Sequence, residues 1–89
     1  MEFSPIRVHD VKKDLGSLIK KMRVKRKLTQ EALAQSLNLS RITIQNIERG
    51  KNFTIDTYLL ILQHFDEIAS LNDFIKAKLD DYHEIKSIY

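Results

Sequence analysis

The sequence predicts one all-α domain of about five helices. Apolar residues recur at three- and four-residue spacing along most of its length, which is the period of an amphipathic helix. The 89 residues include only two glycines and one proline, fewer turn-forming residues than a loop-rich or all-β fold needs. A residue that favours the N-cap position precedes each periodic segment. A chain of this length is expected to form a single domain.

The N-terminal segment lacks the helical period. We expect an ordered arm or a short edge strand over residues 1–9, because Pro5 disfavours helical structure in the residue before it. Asp10 is the predicted N-cap of a first helix that runs from about residue 11 to 26. The opposite face of this helix is rich in lysine, and its inward face carries apolar residues at helical spacing: Val11, Leu15, Leu18, Ile19 and Met22.

A second and a third helix are predicted close together in the chain. Thr29 is the expected N-cap of the second helix, which covers residues 30–36. Asn38 is expected to end this helix, because asparagine tolerates the left-handed conformation found at helix ends. Ser40 is the expected N-cap of the third helix, and Gly50 is expected to terminate it.

Two further helices are predicted after these. Thr54 is the expected N-cap of a fourth helix over about residues 55–65. Ser70 is expected to open a last helix, within a C-terminal helical extension over residues 68–89. This helix carries an apolar stripe: Leu71, Phe74, Ile75, Leu79 and Tyr82. Aromatic residues at helical spacing in the two helices are assigned to the core: Tyr58, Phe65 and Phe74.

The short connection between the second and third helices determines how they can pack. Two helices joined by residues 38–40 alone must cross steeply, and the crossing needs a small side chain where the backbones approach; Ala34 supplies it. Leu39 is the expected apolar plug from the turn, and Ile44 and Ile47 are the expected inward anchors of the third helix. This is the layout of a helix-turn-helix, whose second helix enters the major groove of DNA.

The run LTQEALAQSLNLSRITIQNIERGK, residues 28–51, resembles the phage-repressor, or XRE, family of helix-turn-helix proteins. The resemblance covers about residues 11–66, with Asn38 standing where the family commonly has glycine. It implies a phage-repressor-like DNA-binding domain, which we place at residues 10–67. It also implies the function of a sequence-specific regulator of transcription that binds double-stranded DNA.

The charge distribution agrees with a DNA partner. Residues 1–53 carry 12 Lys and Arg against 5 Asp and Glu, a net charge of +7. Residues 54–89 carry 3 against 7, a net charge of −4. The basic part of the chain is therefore expected to face a polyanion.

Helical geometry determines which side chains of the third helix can touch DNA. Because a helix advances about 100° per residue, side chains opposite Ile44 and Ile47 point away from the core. Glutamine and asparagine suit adenine edges and arginine suits guanine, whereas an outward isoleucine either contacts a thymine methyl group or is an ordinary exposed side chain. The residues on and beside the outward face are assigned to base contact: Arg41, Ile42, Gln45 and Asn46.

A second set of residues is assigned to DNA phosphates: Gln30, Ser40, Thr43, Arg49, Lys51 and Asn52. Gln30 lies in the first turn of the second helix, where free backbone N–H groups and the positive helix end favour an anion. The resemblance implies that this glutamine holds the DNA backbone and that Lys51 and Asn52 form a second phosphate clamp. The basic residues 25–27 either reach the same strand or raise the local potential.

The resemblance also implies a salt bridge between Arg23, near the end of the first helix, and Glu48, near the end of the third. We expect a partly buried, bidentate pair. Removal of one partner from a well-buried pair costs about 3–5 kcal/mol. Glu48 is therefore assigned a structural role rather than a catalytic one.

The apolar stripe of the last helix has three possible uses: the interface of a homodimer, a docking surface for a different protein, or packing against the domain's own helices. The first functional hypothesis is a dimeric repressor at a palindromic operator. The second is the autoregulating antitoxin of a toxin–antitoxin operon, since residues 65–75 also resemble HipB-type antitoxins, whose partners are HipA-like kinases. A phage Cro-like repressor or a restriction–modification controller protein without a toxin partner is the alternative.

No enzymatic activity, cofactor or metal site is predicted. The chain has no cysteine, and its three histidines are scattered, without a Gly-rich phosphate loop or metal-ligand spacing. Asp80, Asp81 and His83 are close in sequence but are assigned to an acidic helix end. No apolar run is long enough to span a bilayer, and no signal-peptide core is present, so we expect a cytoplasmic protein without a membrane partner.

Overall fold

The computed structural model describes residues 5–52 and 54–82 of the chain. Within these ranges the secondary structure consists of five α-helices and no strand. The helices are α1 (Val8–Lys25), α2 (Gln30–Ser36), α3 (Arg41–Glu48), α4 (Ile55–His64) and α5 (Ile68–Asp81). The predicted all-α fold class with a C-terminal helical extension is confirmed. No helix among the described residues is long and apolar enough to cross a membrane.

The first helix begins earlier than the sequence suggested. Arg7 takes the N-cap position in an extended conformation, and the Asp10 carboxylate accepts a hydrogen bond from the Arg7 backbone N–H at 3.1 Å. The prediction of Asp10 as N-cap is therefore wrong, because an aspartate also stabilises the first helical turn. The edge strand is wrong for the described part of the arm, since residues 5–7 form no strand and Val8 is helical. Residues 1–4 lie outside the described residues.

Threonine and serine caps fix the starts of the three central helices, as predicted. The hydroxyl oxygens of Thr29, Ser40 and Thr54 each accept the backbone N–H three residues further on, at 3.0, 3.1 and 3.2 Å. Each of these bonds satisfies a donor that the helix itself leaves unpaired. The helices that follow them begin at Gln30, Arg41 and Ile55.

The turn between α2 and α3 also has the predicted form. Asn38 adopts a left-handed conformation, with φ of 57°, and lets the chain reverse after α2. The Leu39 backbone N–H then donates to the Ala34 carbonyl oxygen at 2.8 Å, which closes the turn. Gly50 ends α3 in the same region of conformational space, with φ of 74°.

The core lies among the first four helices. Its buried hydrophobic residues are Ile19, Leu33, Ala34, Ile44, Ile47, Tyr58, Ile61, Leu62 and Phe65. The predicted inward positions of the helix-turn-helix are confirmed, since Ile44 and Ile47 have no exposed surface and Ala34 has only 2%. The core thereby fixes α3 with one face inward and the opposite face outward.

The last helix extends away from this core. It begins at Ile68 rather than Ser70, and its N-cap residue Glu67 makes no side-chain cap, so the predicted start is wrong. None of its residues is buried, and Leu71 alone among the stripe residues is half-buried against the core. Phe74 is 59% exposed, which contradicts its assignment to the core. Apart from Leu71, the described part of the stripe therefore does not fold back on the domain's own helices.

Candidate nucleic-acid interface

The outward face of α3 carries the side chains that the sequence assigned to DNA bases. Arg41 and Ile42 are exposed in the first turn, and Gln45 and Asn46 are half-buried in the next turn. The exposure of Ile42 is 59%, although the isoleucines on the inward face are completely buried. The face therefore joins a cation, an apolar side chain and two amides on one short helix.

These side chains are available for hydrogen bonding. Among the described residues, no carboxylate lies within 4.0 Å of the Arg41 guanidinium, and the amides of Gln45 and Asn46 make no side-chain hydrogen bond within the chain. A guanidinium and two amides of this kind match the donor and acceptor patterns of guanine and adenine in the major groove. Their assignment to base contact stays a prediction.

A network of hydrogen bonds supports this face from behind. The Arg23 guanidinium donates to the Glu48 carboxylate through Nε, at 2.6 Å from Oε2, and through Nη2, at 3.0 Å from Oε1. Its Nη1 donates to the Leu28 carbonyl oxygen at 2.8 Å. The side chains of Arg23 and Glu48 are only 11% and 4% exposed. The structure thus contains the bidentate, largely buried pair that the resemblance implied, and the pair joins α1, α3 and the segment before α2.

Gln30 belongs to the same network. Its side-chain Nε2 donates to Oε1 of Glu48 at 3.0 Å. One N–H of the amide is therefore used inside the protein, while sequence reasoning had placed the whole side chain on a phosphate. The second N–H and the amide oxygen have no described partner, and the phosphate contact stays a prediction.

The remaining residues assigned to phosphates form two groups. Ser40 and Thr43 lie at the start of α3, where their hydroxyl oxygens are 2.8 Å apart and share a hydrogen bond. Arg49, Lys51 and Asn52 are exposed in the turn that follows α3. In that turn the Lys51 backbone N–H donates to the Asn46 carbonyl oxygen at 2.8 Å.

Arg26, in the basic segment 25–27, contacts residues at the end of α4. The Arg26 guanidinium lies 5.0 Å from the centre of the Phe65 ring, and its Nη2 donates to the Phe65 carbonyl oxygen at 3.3 Å. The same Nη2 is 3.9 Å from a carboxylate oxygen of Asp66. Arg26 therefore connects the end of α1 to the end of α4, and the contact of the basic segment with a DNA strand stays a prediction.

Sequence reasoning missed Gly16, which determines how closely α1 approaches α3. A Cβ atom at this position would lie 2.6 Å from the Glu48 carbonyl oxygen. Any larger residue would therefore push the two helices apart. The available signal was a glycine on the inward face of an otherwise regular helix, where it lowers helix stability unless close packing requires it.

No group of three His, Cys, Asp or Glu residues within 5–52 and 54–82 could hold a metal ion. Of the cluster considered in the sequence, Asp80 and Asp81 lie at the end of α5, and His83 is outside the described residues.

Comparison with known proteins agrees with this geometry. A family model described as helix-turn-helix matches residues 19–68, which is more than half of the chain. The matched segment begins within α1 and ends at the first residue of α5. No curated protein sequence matches the chain.

Proposed function

The chain belongs to the XRE, or phage-repressor, type of the helix-turn-helix family of DNA-binding transcription regulators, and from this premise we propose that it represses transcription as a dimer at a two-fold operator. Arg41, Ile42, Gln45 and Asn46 contact base edges in this proposal. Phosphates on both sides of the groove are held by the second set: Gln30, Ser40, Thr43, Arg49, Lys51 and Asn52.

One observation carries the proposal. The core buries Ile44 and Ile47 on the inner face of α3 completely, whereas Arg41 and Ile42 on the outer face are exposed. Exposed cations follow immediately in the turn after the helix. A rigid helix presented in this way has the width and the polar groups that the major groove accepts. Repression follows from occupancy, because a protein that covers a promoter site excludes other proteins from it.

Selection of binding sites from a pool of random duplexes, with the full chain, tests the proposal. We expect Gln45→Ala to lose base preference at one position of the selected site, by about 1–3 kcal/mol. Lys51→Ala is the matched control: it removes a phosphate contact and weakens binding to all sequences alike. Failure to enrich any sequence, or an unchanged preference in Gln45→Ala, would contradict the assignment of α3.

The dimer is supported by the uncovered stripe of α5. Phe74, Leu79 and Tyr82 are about 60% exposed, and such apolar patches mark interaction surfaces. Two copies related by two-fold symmetry would present two α3 helices about 34 Å apart, the spacing of successive major grooves on one side of DNA. The domain at residues 10–67 then binds DNA, and the extension at 68–89 joins the copies.

The same stripe favours a second candidate, an antitoxin that uses this surface to bind a toxin protein and DNA to regulate its own operon. Co-purification of the chain with the product of the neighbouring gene separates the two candidates. A stable complex that buries Phe74 and Leu79 supports the antitoxin. Phage genes or a methylase next to this gene, without a stable complex, support a Cro-like repressor or a controller protein instead.

A further inference from the structure

The first helix crosses the turn after α3 at very short range. Gly50 has φ of 74°, and a Cβ atom built on it would lie 2.9 Å from the Lys12 carbonyl oxygen and 3.1 Å from the Lys13 Cα atom. The backbone of the turn therefore lies directly against the backbone of α1. The approach of Gly16 to the Glu48 carbonyl oxygen continues this contact one helical turn further along.

The contact of α1 with α3 and its following turn identifies the face of α1 that carries Lys13. Ile19 is completely buried and Leu15 packs against the core, so their direction on the helix is inward. Gly16 faces α3, and Lys13 lies about 60° further round from it, on the side away from Ile19 and Leu15. Lys13 is exposed on this side of α1, next to the turn that follows α3.

The neighbourhood of Lys13 is cationic. Arg49 and Lys51, on either side of Gly50, are also exposed, and no described carboxylate lies within 4.0 Å of these three side-chain charges. Of the nearby acids, Asp10 accepts the backbone N–H of Arg7, and Asp14 is exposed about 100° further round the helix from Lys13. Lys13, Arg49 and Lys51 therefore belong to two segments whose backbones are in contact, and none of the three has a described carboxylate partner.

Compensation of the C-terminal end of α3 does not explain this cluster. Backbone N–H groups of the turn already pair with two terminal carbonyl oxygens: Gly50 with Ile47 at 2.9 Å, and Lys51 with Asn46 at 2.8 Å. Interaction with a helix end falls off within one turn, and Arg49 and Lys51 already lie within it. Lys13 comes from another helix and adds a charge that α3 does not need.

We propose that Lys13 contacts a DNA phosphate next to those held by Arg49 and Lys51. The inference rests on the proposed function, because it takes the outer face of α3 to lie in the major groove. Lys13 precedes the segment that matches the helix-turn-helix family, residues 19–68. The first turns of α1 therefore extend the family's DNA-binding surface in this chain, along the strand reached by the turn after α3.

A phosphate contact of this kind has a defined signature. Each neutralised phosphate releases counterions and contributes about 0.9 to the slope of log affinity against log salt concentration. It contributes no base preference, since phosphates are the same at every sequence. Lys13 therefore affects the salt dependence of binding and leaves the selected sequence unchanged.

The test compares Lys13→Ala with Lys21→Ala in the full chain. Lys21 is exposed on the same helix, two turns further from the turn after α3 and about 140° round from Gly16, and its loss changes the net charge equally. The probe is the duplex enriched from random sequence, titrated from about 50 to 200 mM salt. We expect the affinity advantage of the wild type over Lys13→Ala to shrink about 3.5-fold over that range, whereas Lys21→Ala keeps the wild-type slope.

Each other outcome has one meaning. A wild-type slope for Lys13→Ala overturns the contact, because no phosphate is then neutralised by Lys13. An equal loss of slope in Lys13→Ala and Lys21→Ala also overturns it, because both charges then act only through the general electrostatic field. A changed base preference in Lys13→Ala also overturns it. If the wild-type chain enriches no duplex at all, the proposed function fails. Circular dichroism of both variants verifies that each is folded.

Discussion

Glu48 connects three segments of the chain through one buried carboxylate. Its oxygens accept two hydrogen bonds from Arg23 and one from Gln30, and Arg23 also holds the Leu28 carbonyl oxygen. A carboxylate this far from water is stable only while its partners remain, because burial of an unpaired charge costs several kcal/mol. Glu48 thus helps to hold α3 in its position relative to α1 and α2.

Removal of this carboxylate is expected to destabilise the fold strongly. Glu48→Ala leaves the Arg23 guanidinium buried without its partner, which costs about 3–5 kcal/mol. The double variant Arg23→Met/Glu48→Leu is the control, since it removes both charges and should recover a large part of the loss. Urea unfolding of the three proteins measures these differences. A loss below about 1 kcal/mol in Glu48→Ala would indicate that this pair contributes no more than a solvent-exposed salt bridge.

The buried hydroxyl of Tyr58 makes the stability of the fold depend on pH in the alkaline range. Burial raises the pKa of its hydroxyl from 10.0 to about 12, and the hydroxyl donates to the Leu15 carbonyl oxygen at 2.7 Å. Between these values the unfolded chain loses the proton and the folded chain keeps it, so stability falls as the pH rises from 10 towards 12. The loss reaches about 2–3 kcal/mol.

Tyr58→Phe isolates this contribution. The variant keeps the ring but has no titrating group, so its free energy of unfolding should fall less between pH 10 and 12 than that of the wild type. Lysines titrate in both proteins and cancel in the comparison. Parallel alkaline profiles for the two proteins would contradict a shifted tyrosine.

The four connections between the helices each contain a residue other than glycine in the left-handed conformation. These residues are Lys27, Asn38, Asn52 and Asp66, with φ between 50° and 60°. The conformation costs about 1–2 kcal/mol for an ordinary residue and less for asparagine or aspartate. Lys27, between α1 and α2, is therefore the most strained of the four.

Lys27→Gly is expected to stabilise the protein by about 0.5–1 kcal/mol, because the relief of this strain exceeds the added entropy of glycine in the unfolded chain. Asn38→Gly should gain less, since asparagine already tolerates the conformation. Thermal unfolding followed by circular dichroism measures both. Equal gains would contradict this ranking, because asparagine would then tolerate the conformation no better than lysine.

Gly16→Ala tests the crossing of α1 over α3. On an exposed helix this change would stabilise, but here the new methyl group meets backbone atoms of Glu48 at 2.6–2.8 Å. We expect a net loss of about 1–3 kcal/mol, as in other overpacked cores. Ser17→Ala, at the next and exposed position of α1, is the control and should be near neutral or slightly stabilising. A stabilising Gly16→Ala would mean that the two helices can separate without cost.

The elements that could be predicted are those whose signals are local. Thr29, Ser40 and Thr54 cap α2, α3 and α4, because a hydroxyl oxygen reaches a donor only three residues away. The start of α5 could not be predicted in this way. It follows a turn in which Asp66 is left-handed and the Glu67 N–H reaches back to the Leu62 carbonyl oxygen.

In the candidate site, too, some features follow from local signals and others depend on how the helices pack. The outward direction of Arg41 and Ile42 follows from the helical period, because the buried face fixes the opposite one. The hydrogen bond from Gln30 to Glu48 joins residues 18 positions apart, and the packing of Gly16 joins two helices. The partners in these two contacts do not follow from a local pattern, since they depend on how the helices cross.

The last helix leaves an apolar stripe exposed next to a groove in the domain. The described chain measures 50 × 28 × 22 Å, and α5 extends from the core without burying any residue. Beside it lies an apolar groove of about 410 Å³, whose walls come from α1, α4 and α5 and include Leu15, Leu18, Ile55, Leu59 and Leu71. A second copy could bury its α5 stripe here, and the two-fold symmetry would repeat the contact.

Substitution within the stripe is expected to separate the copies of the proposed dimer without unfolding them. Phe74 and Leu79 are about 60% exposed in the single chain, so Phe74→Glu and Leu79→Glu should leave the core intact but weaken the dimer at least tenfold. Leu60→Glu is the control, since Leu60 is 40% exposed on α4 and does not line the groove. Sedimentation equilibrium measures the association.

DNA binding links the dimer to function. A dimer gains affinity from two half-sites, because the second contact is intramolecular once the first has formed. Phe74→Glu should therefore weaken binding to a duplex with two half-sites and leave binding to a single half-site unchanged. A wild-type chain that stays monomeric alone and on the two-half-site duplex would contradict the dimer and favour the second candidate, in which the stripe binds a different protein.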